Sequence, residues 1–470
     1  MDAKTMSGGR SSAGGLYRLS PQDLSNLRVE ARGLPMHVAA LAILDGAPLR
    51  DAQGVFRLEA MRAEIERRLH LAPRLRQVLY RPPLGLGRLL WVDDADFDIG
   101  RHVRVRAIAP PGDETALLAA CQELNEPALE RSQPLWELWF LTGLAGGRVG
   151  MLIRLHHVVA DGVATVALLG SLFDVAPDTQ PVLAPPWVPA AVPPFWELLV
   201  DSLRRRGAAL ATAFSTLARP AQWLRHLRAA AAPLRESFGE GLASRSSLNG
   251  PIGKYRRLLV VRADLDRAKA VAHAHGAKVN DVVLAVVTGG TRALLRSRGE
   301  LVPGLLLRAS VPVSVRGSGD RAAMGNLTGL MSVPLPVNEP DPVRRLETIA
   351  RVTVARKRRR RVIRAWWRGA GPGLTWFMHH QRLVNLLVSN VPGPPAPLSF
   401  AGARILEVFQ LGVIQGNLRL SVGVLSYAGQ LNFGILADAE AFPDLAVFAK
   451  GLGAALTELG VAAPMPQRAA

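Results

Sequence analysis

A single cysteine, Cys121, stands in 470 residues. No disulfide can close within the chain, which fits a reducing compartment. Cys121 falls in the helix-like stretch Glu114 to Leu124, where its expected role is packing. Acidic residues are short: 38 Asp and Glu face 57 Lys and Arg, a formal charge of +19. That imbalance implies a polyanionic partner: nucleic acid, anionic lipid or a phosphate-rich ligand. Zinc-finger and RRM signatures are missing, so no specific nucleic-acid partner is expected. A secretory leader is missing too. Residues 1–15 are polar and rich in Gly and Ser, which predicts a loose tail. The longest charge-free run, Leu383 to Ala403, is broken by Pro392, Pro394, Pro395 and Pro397, so it cannot span a membrane as a helix. The chain is expected to be soluble or peripherally bound. There is no G-x-S-x-G element, which argues against a serine esterase.

What is present is apolar material, 49% of the residues, and length for two domains of ordinary size. Strand-like runs at Val38 to Leu44, Arg88 to Val92, His102 to Ile108 and Val149 to Leu155 alternate with helix-like runs at Phe56 to Leu69 and Glu114 to Asn125. Such alternation predicts an α/β layered domain. At Leu19-Ser20-Pro21-Gln22-Asp23, Ser20 is a predicted helix cap with Pro21 in the first turn. Pro181 to Pro194 reads as an extended connector. Phe195 to Phe238 is helical, apolar and rich in arginine, a combination that suits a membrane surface. Its plainer reading, ranked ahead, is a crossover helix with a solvated basic face. A second α/β half follows, with strands at Arg256 to Val261, Leu305 to Val315 and Met331 to Leu335, and a helix over Val282 to Leu295. The run Lys357 to Arg361, followed by Trp366-Trp367, suits phosphates or an interface; a solvated helix face is its plainer reading.

The stretch His156-His157-Val158-Val159-Ala160-Asp161-Gly162 sits where a strand ends and an apolar helix-like run, Val163 to Phe173, begins. Successive strand side chains point to opposite faces, so one histidine only should reach a given cleft. A neutral imidazole there can take a proton near neutral pH. Asp161 can orient that base or brace the loop, and Gly162 permits a close backbone approach. A His-His pair alone is weak: His379-His380 has no Asp-Gly beyond it and reads as structural or surface. A metal site at His156, His157 and Asp161 lacks the usual ligand spacing, so no metal is expected.

Several motifs then line up in order: Leu19 to Asp23, Pro35-Met36-His37, Pro134-Leu135-Trp136-Glu137, His156 to Gly162, Asn249-Gly250-Pro251-Ile252, Asn280-Asp281-Val282, Val311 to Arg316, Gly325-Asn326, Ser389-Asn390-Val391-Pro392-Gly393-Pro394 and Ser426-Tyr427-Ala428-Gly429 with Asp438. Together they resemble the bacterial wax ester synthase/diacylglycerol acyltransferase family, within the HHxxxDG superfamily of CoA-dependent acyltransferases. The likeness runs from Leu16 to about Val461. It implies two chloramphenicol-acetyltransferase-like α/β domains joined by a long crossover, with a channel between them. The expected division is a tail (1–15), an acyltransferase domain carrying the histidine pair (16–180), a Pro-rich basic connector (181–250), a second acyltransferase-like domain (251–464) and a tail (465–470).

The resemblance also implies acyl transfer from a fatty acyl-CoA, a substrate rather than a cofactor, to diacylglycerol or a long-chain alcohol. His157 is then the general base. His156 braces the loop, and Asp161 supports it through an arginine, Arg316 first and Arg308 second. Asn280 is an oxyanion donor or, with Asp281, a helix cap. Pro134, Leu135 and Trp136 are expected in the core rather than along an acyl channel. The implied location is cytoplasmic, against an anionic inner membrane face or lipid droplets. Two other functions stay open: condensation using carrier-bound acyl groups, and a non-catalytic lipid-surface protein.

Overall fold

The computed structural model describes residues 16–30, 35–159, 170–174, 186–217, 241–314, 328–358 and 372–463. The first half runs α1 (Pro21–Glu30), β1 (His37–Leu44), α2 (Leu58–Arg68), β2 (Gln77–Tyr80), β3 (Leu90–Asp93), α3 (Ile99–His102), β4 (Val103–Ala107), α4 (Glu114–Asn125), β5 (Trp136–Thr142) and β6 (Val149–His156). A connecting helix, α5 (Phe195–Leu217), precedes the second half. There follow β7 (Arg256–Asp264), α6 (Leu265–Ala274), α7 (Val279–Ser297), β8 (Leu307–Ser314), β9 (Thr328–Leu335), α8 (Pro342–Arg358), α9 (Pro372–His380), β10 (Leu386–Pro392), β11 (Ser399–Phe400), β12 (Ala403–Leu411), β13 (Leu420–Tyr427), β14 (Gln430–Asp438) and α10 (Leu445–Glu458).

Local chemistry sets the element starts. The Ser20 hydroxyl accepts from the Asp23 N–H at 3.1 Å, and the Asp23 carboxylate accepts from the Ser20 N–H at 3.1 Å, so α1 is capped as its sequence predicts. Asp113 caps α4 by accepting from the Ala116 N–H. The core of the second half centres on α7, whose residues Val282 to Val287 are all buried. Cys121 is buried in α4, and burial pushes its thiol up to about 12, so it packs and does not react at neutral pH.

Two mixed six-stranded sheets carry these layers, ordered β11-β12-β1-β6-β5-β4 and β7-β14-β13-β10-β8-β9. The strand order departs from the expected division at residue 250. β11 and β12 lie in the second half of the sequence, yet they complete the first sheet, with Gln410 opposite Ala40 and Leu411 opposite Ala39. The reason is on the other edge of β12. β11 reaches only Ala403 and Arg404, so the later carbonyls of β12 need donors from elsewhere. Gln430 and Asn432 of β14 supply them: their side-chain amides donate to the carbonyls of Leu406 and Val408, each at 3.1 Å. At the next step β14 carries Gly434, paired with Gly423 of β13. A Cβ at Gly434 would lie 2.2 Å from the Gln410 carbonyl oxygen, and one at Gly423 2.5 Å from it. Only glycine lets the sheets approach there.

The connecting helix also departs from the favoured reading. Leu198 and Ser202 are buried, Leu198 beside Leu16, Leu90 and Val92, and Asp201 accepts from the Arg18 guanidinium at 2.6 Å. The opposite face is an exposed apolar stripe of Trp196, Val200, Leu203, Leu210 and Phe214 with Arg204 beside it, while Arg205 donates to Asp201 at 2.9 Å and Arg206 to the Gly85 carbonyl at 3.3 Å. The exposed face is thus not simply basic.

Gly434→Ala is expected to destabilise the fold by roughly 1–3 kcal/mol, the usual cost of overpacking. Urea unfolding of the variant, together with Gly453→Ala in α10 as a control with open space and no positive φ, checks this. Equal stability of Gly434→Ala and the parent would show that the two sheets are not held at this distance by the glycine.

Candidate active site

β6 separates two environments by simple alternation. Toward its end, the even-numbered Arg154 and His156 face a layer of buried polar groups, while Leu152 on the same face packs in an apolar cluster. Arg154 donates to Glu137 at 2.6 Å and to the Pro127 carbonyl at 3.0 Å. His156 is 0% exposed. Its Nδ1 accepts from the Val158 N–H at 3.1 Å, which leaves Nε2 to carry the proton, 3.2 Å from Glu30 Oε2. Glu30 ends α1 and gathers three groups: His156, the Arg131 guanidinium at 2.7 Å and the Met36 N–H at 3.4 Å. Burial pushes the Glu30 carboxyl up, but His156 and Arg131 together outweigh this and hold it down at about 2. Opposite His156 across the ladder stands His37, whose Nε2 donates to the Asn125 carbonyl at 2.6 Å. Burial, with Arg154 nearby, pushes the His37 imidazole down to about 3, so it is neutral.

The odd-numbered residues face the other way. His157 continues the ladder one step past β6, its N–H donating to the Met36 carbonyl at 2.7 Å. Alternation places it on the face of Met151 and Ile153, and it is half-buried. Along that face lies an apolar pocket of about 750 Å³, its open mouth included. Val38, Ala40, Ala42, Met151 and Ile153 form its floor, and Phe173, Leu398, Leu425 and Tyr427 stand over it. His157 is not among its lining residues. The pocket begins beside Val38, which pairs with Leu155, two residues before His157 on the same face. It therefore runs away from the histidine along the sheet.

Asp161, Gly162 and Arg316 lie outside the described residues, as do Gly325-Asn326, Arg359 to Arg361 and Trp366-Trp367. Arg308 is buried and donates to the Gly241 carbonyl at 2.9 Å. Asn280 does not cap α7. Lys278 holds the cap position, and Asn280 accepts from the Asn390 side chain at 3.4 Å. Asp281 takes the structural part. One of its oxygens accepts from the Lys278 N–H at 2.9 Å and the other from the Thr353 hydroxyl at 2.8 Å, tying α7 to α8. Leu135 and Trp136 are core residues, as expected, with the Trp136 indole donating to the Leu75 carbonyl at 2.7 Å. His380 is an exposed helix-end residue stacked on Trp376. Glu30 went unnoticed in the sequence. The one signal for it is indirect: a buried His156 needs a partner, and nothing in the pattern says which carboxylate supplies it.

The model of the wax ester synthase/diacylglycerol acyltransferase catalytic domain matches residues 19–283, and that of the family's C-terminal domain matches residues 324–460. The chain belongs to this family. Among its relatives is a Mycobacterium tuberculosis protein named a probable diacylglycerol O-acyltransferase, 33% identical over 94% of this chain and 96% of that protein. The solved wax ester synthase/diacylglycerol acyltransferase from Marinobacter aquaeolei VT8 is 24% identical, with a TM-score of 0.65 over 94% of this chain and 98% of that one. The first condensation domain of the CDA synthetase shares the fold, at 18% identity and a TM-score of 0.60. The expected family and its two-domain α/β fold are therefore those of this chain, which is an acyltransferase of the wax ester synthase/diacylglycerol acyltransferase type. Among the described residues, no group of three His, Cys, Asp or Glu is placed to hold a metal ion.

The charged layer should make this acyltransferase acid-sensitive. His37 is lowered from its ordinary 6.5 to about 3, and Glu30 from 4.5 to about 2. Both bind a proton less readily when folded, so their stabilisation is complete above those ordinary values. It is lost as pH falls, from 6.5 toward 3 for His37 and from 4.5 toward 2 for Glu30. His37→Gln should flatten the first limb of a stability-against-pH curve and Glu30→Gln the second. Variant curves parallel to the parent's would sink this account.

Proposed function

We propose that the enzyme transfers a long-chain acyl group from acyl-CoA to the hydroxyl of diacylglycerol, with His157 as general base, and that it accepts long-chain alcohols by the same route. The observation carrying this is the position of His157. Its backbone N–H is held by the Met36 carbonyl next to β1, one step past a strand whose residues Met151 and Ile153 line the apolar pocket. The relative named for diacylglycerol favours the triacylglycerol branch over the wax ester branch.

In this reading the acceptor hydroxyl gives its proton to the His157 imidazole as its oxygen attacks the thioester carbonyl. The C–S bond then breaks, and the imidazolium returns the proton to the departing CoA sulfur. No covalent acyl-enzyme is needed. His156 stays behind the strand, held by Glu30, and fixes the turn that presents His157. Asp161 and Gly162, outside the described residues, are offered as supports of that base. Asn280 and Asn390 are offered as polar groups at the far side of the channel, Asn280 as the oxyanion donor. Asp281 acts only by fixing the start of α7.

The stripe on α5 supports attachment to an anionic membrane or lipid-droplet surface. Trp196 and Phe214 are 65% and 69% exposed, and they share a helix face with Arg204 beside it, the pattern of an interfacial helix. No helix among the described residues is long and apolar enough to cross a membrane. A lipid surface is also where diacylglycerol is found.

Labelled palmitoyl-CoA offered with dioleoylglycerol or hexadecanol, and resolved by thin-layer chromatography, tests the reaction. Labelled triacylglycerol is expected, and His157→Ala should lower its rate by at least roughly 10²-fold, within the range of general base contributions. A folded, fully active His157→Ala enzyme would remove the base. Flotation with phosphatidylglycerol-containing vesicles tests the surface: Trp196→Ser/Phe214→Ser should float markedly less than the parent. Equal flotation would remove α5 from the membrane.

A further inference from the structure

One polar side chain interrupts the apolar pocket. Gln410 lies on β12 opposite Ala40, which lies opposite Ile153, and all three line the pocket. Tyr427, the other polar lining residue, is fully used: its hydroxyl donates to the Ile405 carbonyl at 3.0 Å and accepts from the Leu398 N–H at 2.8 Å. Gln410 is not. Its Nε2 donates to the Ser389 hydroxyl at 3.3 Å, while its Oε1 is buried with no partner among the described residues. A buried amide half left unpaired is unfavourable, and hydrocarbon cannot relieve it. The amide can also turn over about its last bond. Turned over, Gln410 accepts from Ser389 and leaves its NH2 unpaired instead. A hydroxyl answers either orientation, because it both donates and accepts.

We propose that Gln410 is a specificity-determining residue that selects a lipid chain bearing a hydroxyl partway along its length. The idea rests on the reading above, in which this pocket holds a substrate chain. The position of the hydroxyl follows from the register. Ile153 is four residues from His157 along the strand, roughly 13 Å at ~3.3 Å per residue. The hydroxyl therefore belongs in the middle of a long chain, well away from the reacting carbonyl. An unsubstituted chain fills the same pocket but leaves the amide unpaired.

Ricinoleoyl-CoA and oleoyl-CoA differ by one mid-chain hydroxyl, so they isolate the effect. The parent and Gln410→Met, which keeps the length and removes both polar ends, are compared on each with dioleoylglycerol as acceptor. The parent should favour ricinoleoyl-CoA in kcat/KM, and the variant should lose that preference by roughly two- to twelvefold, the effect of one ordinary hydrogen bond. A second arm holds oleoyl-CoA constant and compares diricinoleoylglycerol with dioleoylglycerol. A change in the first arm assigns the pocket to the acyl donor, and a change in the second assigns it to the acceptor. Ratios unchanged in both arms, with oleoyl transfer intact, overturn the role of Gln410 and leave the acyltransferase reading standing. If no acyl-CoA is turned over, that reading fails separately. Thermal stabilisation by ricinoleate against oleate, in parent and variant, then decides for or against Gln410. The melting temperature of the ligand-free variant supplies a control. A bracing role through Ser389 predicts a fall with unchanged substrate ratios, which would also overturn the proposal.

Discussion

The molecule depends on one open strand edge and the way it is satisfied. β12 leaves the half of the chain in which it lies and pairs with β1 along one side. Its other side then presents carbonyls that β11 is too short to reach. Gln430 and Asn432 reach across from the second sheet to two of them, and Gly434 and Gly423 make room at the third. Unpaired backbone groups are costly when buried, so this contact fixes where the sheets can sit. β12 in turn supplies Ile405, Val408 and Gln410 to the pocket, and supports β1, whose neighbour Met36 anchors the His157 backbone.

Around the histidines the two faces of one strand do opposite work. Behind β6 lie two ion pairs, the buried Arg154 with Glu137 and the half-exposed Arg131 with the buried Glu30, and His156 stands against Glu30. Removing one member of such a pair costs ~3–5 kcal/mol, so this layer is rigid. In front lie Met151 and Ile153, which offer nothing polar. His157, one step past that strand, is held through its backbone by the Met36 carbonyl, and the apolar pocket begins beside Val38, which pairs with Leu155.

Much of this was legible in the residues. The strand runs before His156 and over Val38 to Leu44, the cap at Ser20 and the core placement of Trp136 follow from local pattern, and each is found. The ordered motifs carried the family. What was not legible is long-range. Glu30 lies 126 positions before His156 in sequence, and a lone Glu at a helix end carries no mark of its partner. The residues of β12 fall inside the stretch expected for the second domain, 251–464, because alternation reports which face is buried and not which sheet a strand joins. Asn280 next to Asp281 invites a cap reading. The cap position falls two residues earlier, at Lys278, and Asp281 closes the capping box from the third helical position, so Asp281 caps as its chemistry suggests and Asn280 does not.

The crossing of β12 also bears on how the protein is made. A ribosome delivers β1 and β6 long before it delivers residues 403–411, and Gln430 and Asn432 later still. Until then β1 has a bare edge, and the groove beside it lacks the strand that closes it. Such an edge invites pairing with other chains. The first sheet therefore cannot be completed until residues 403–411, far along the 470-residue polypeptide, have been made.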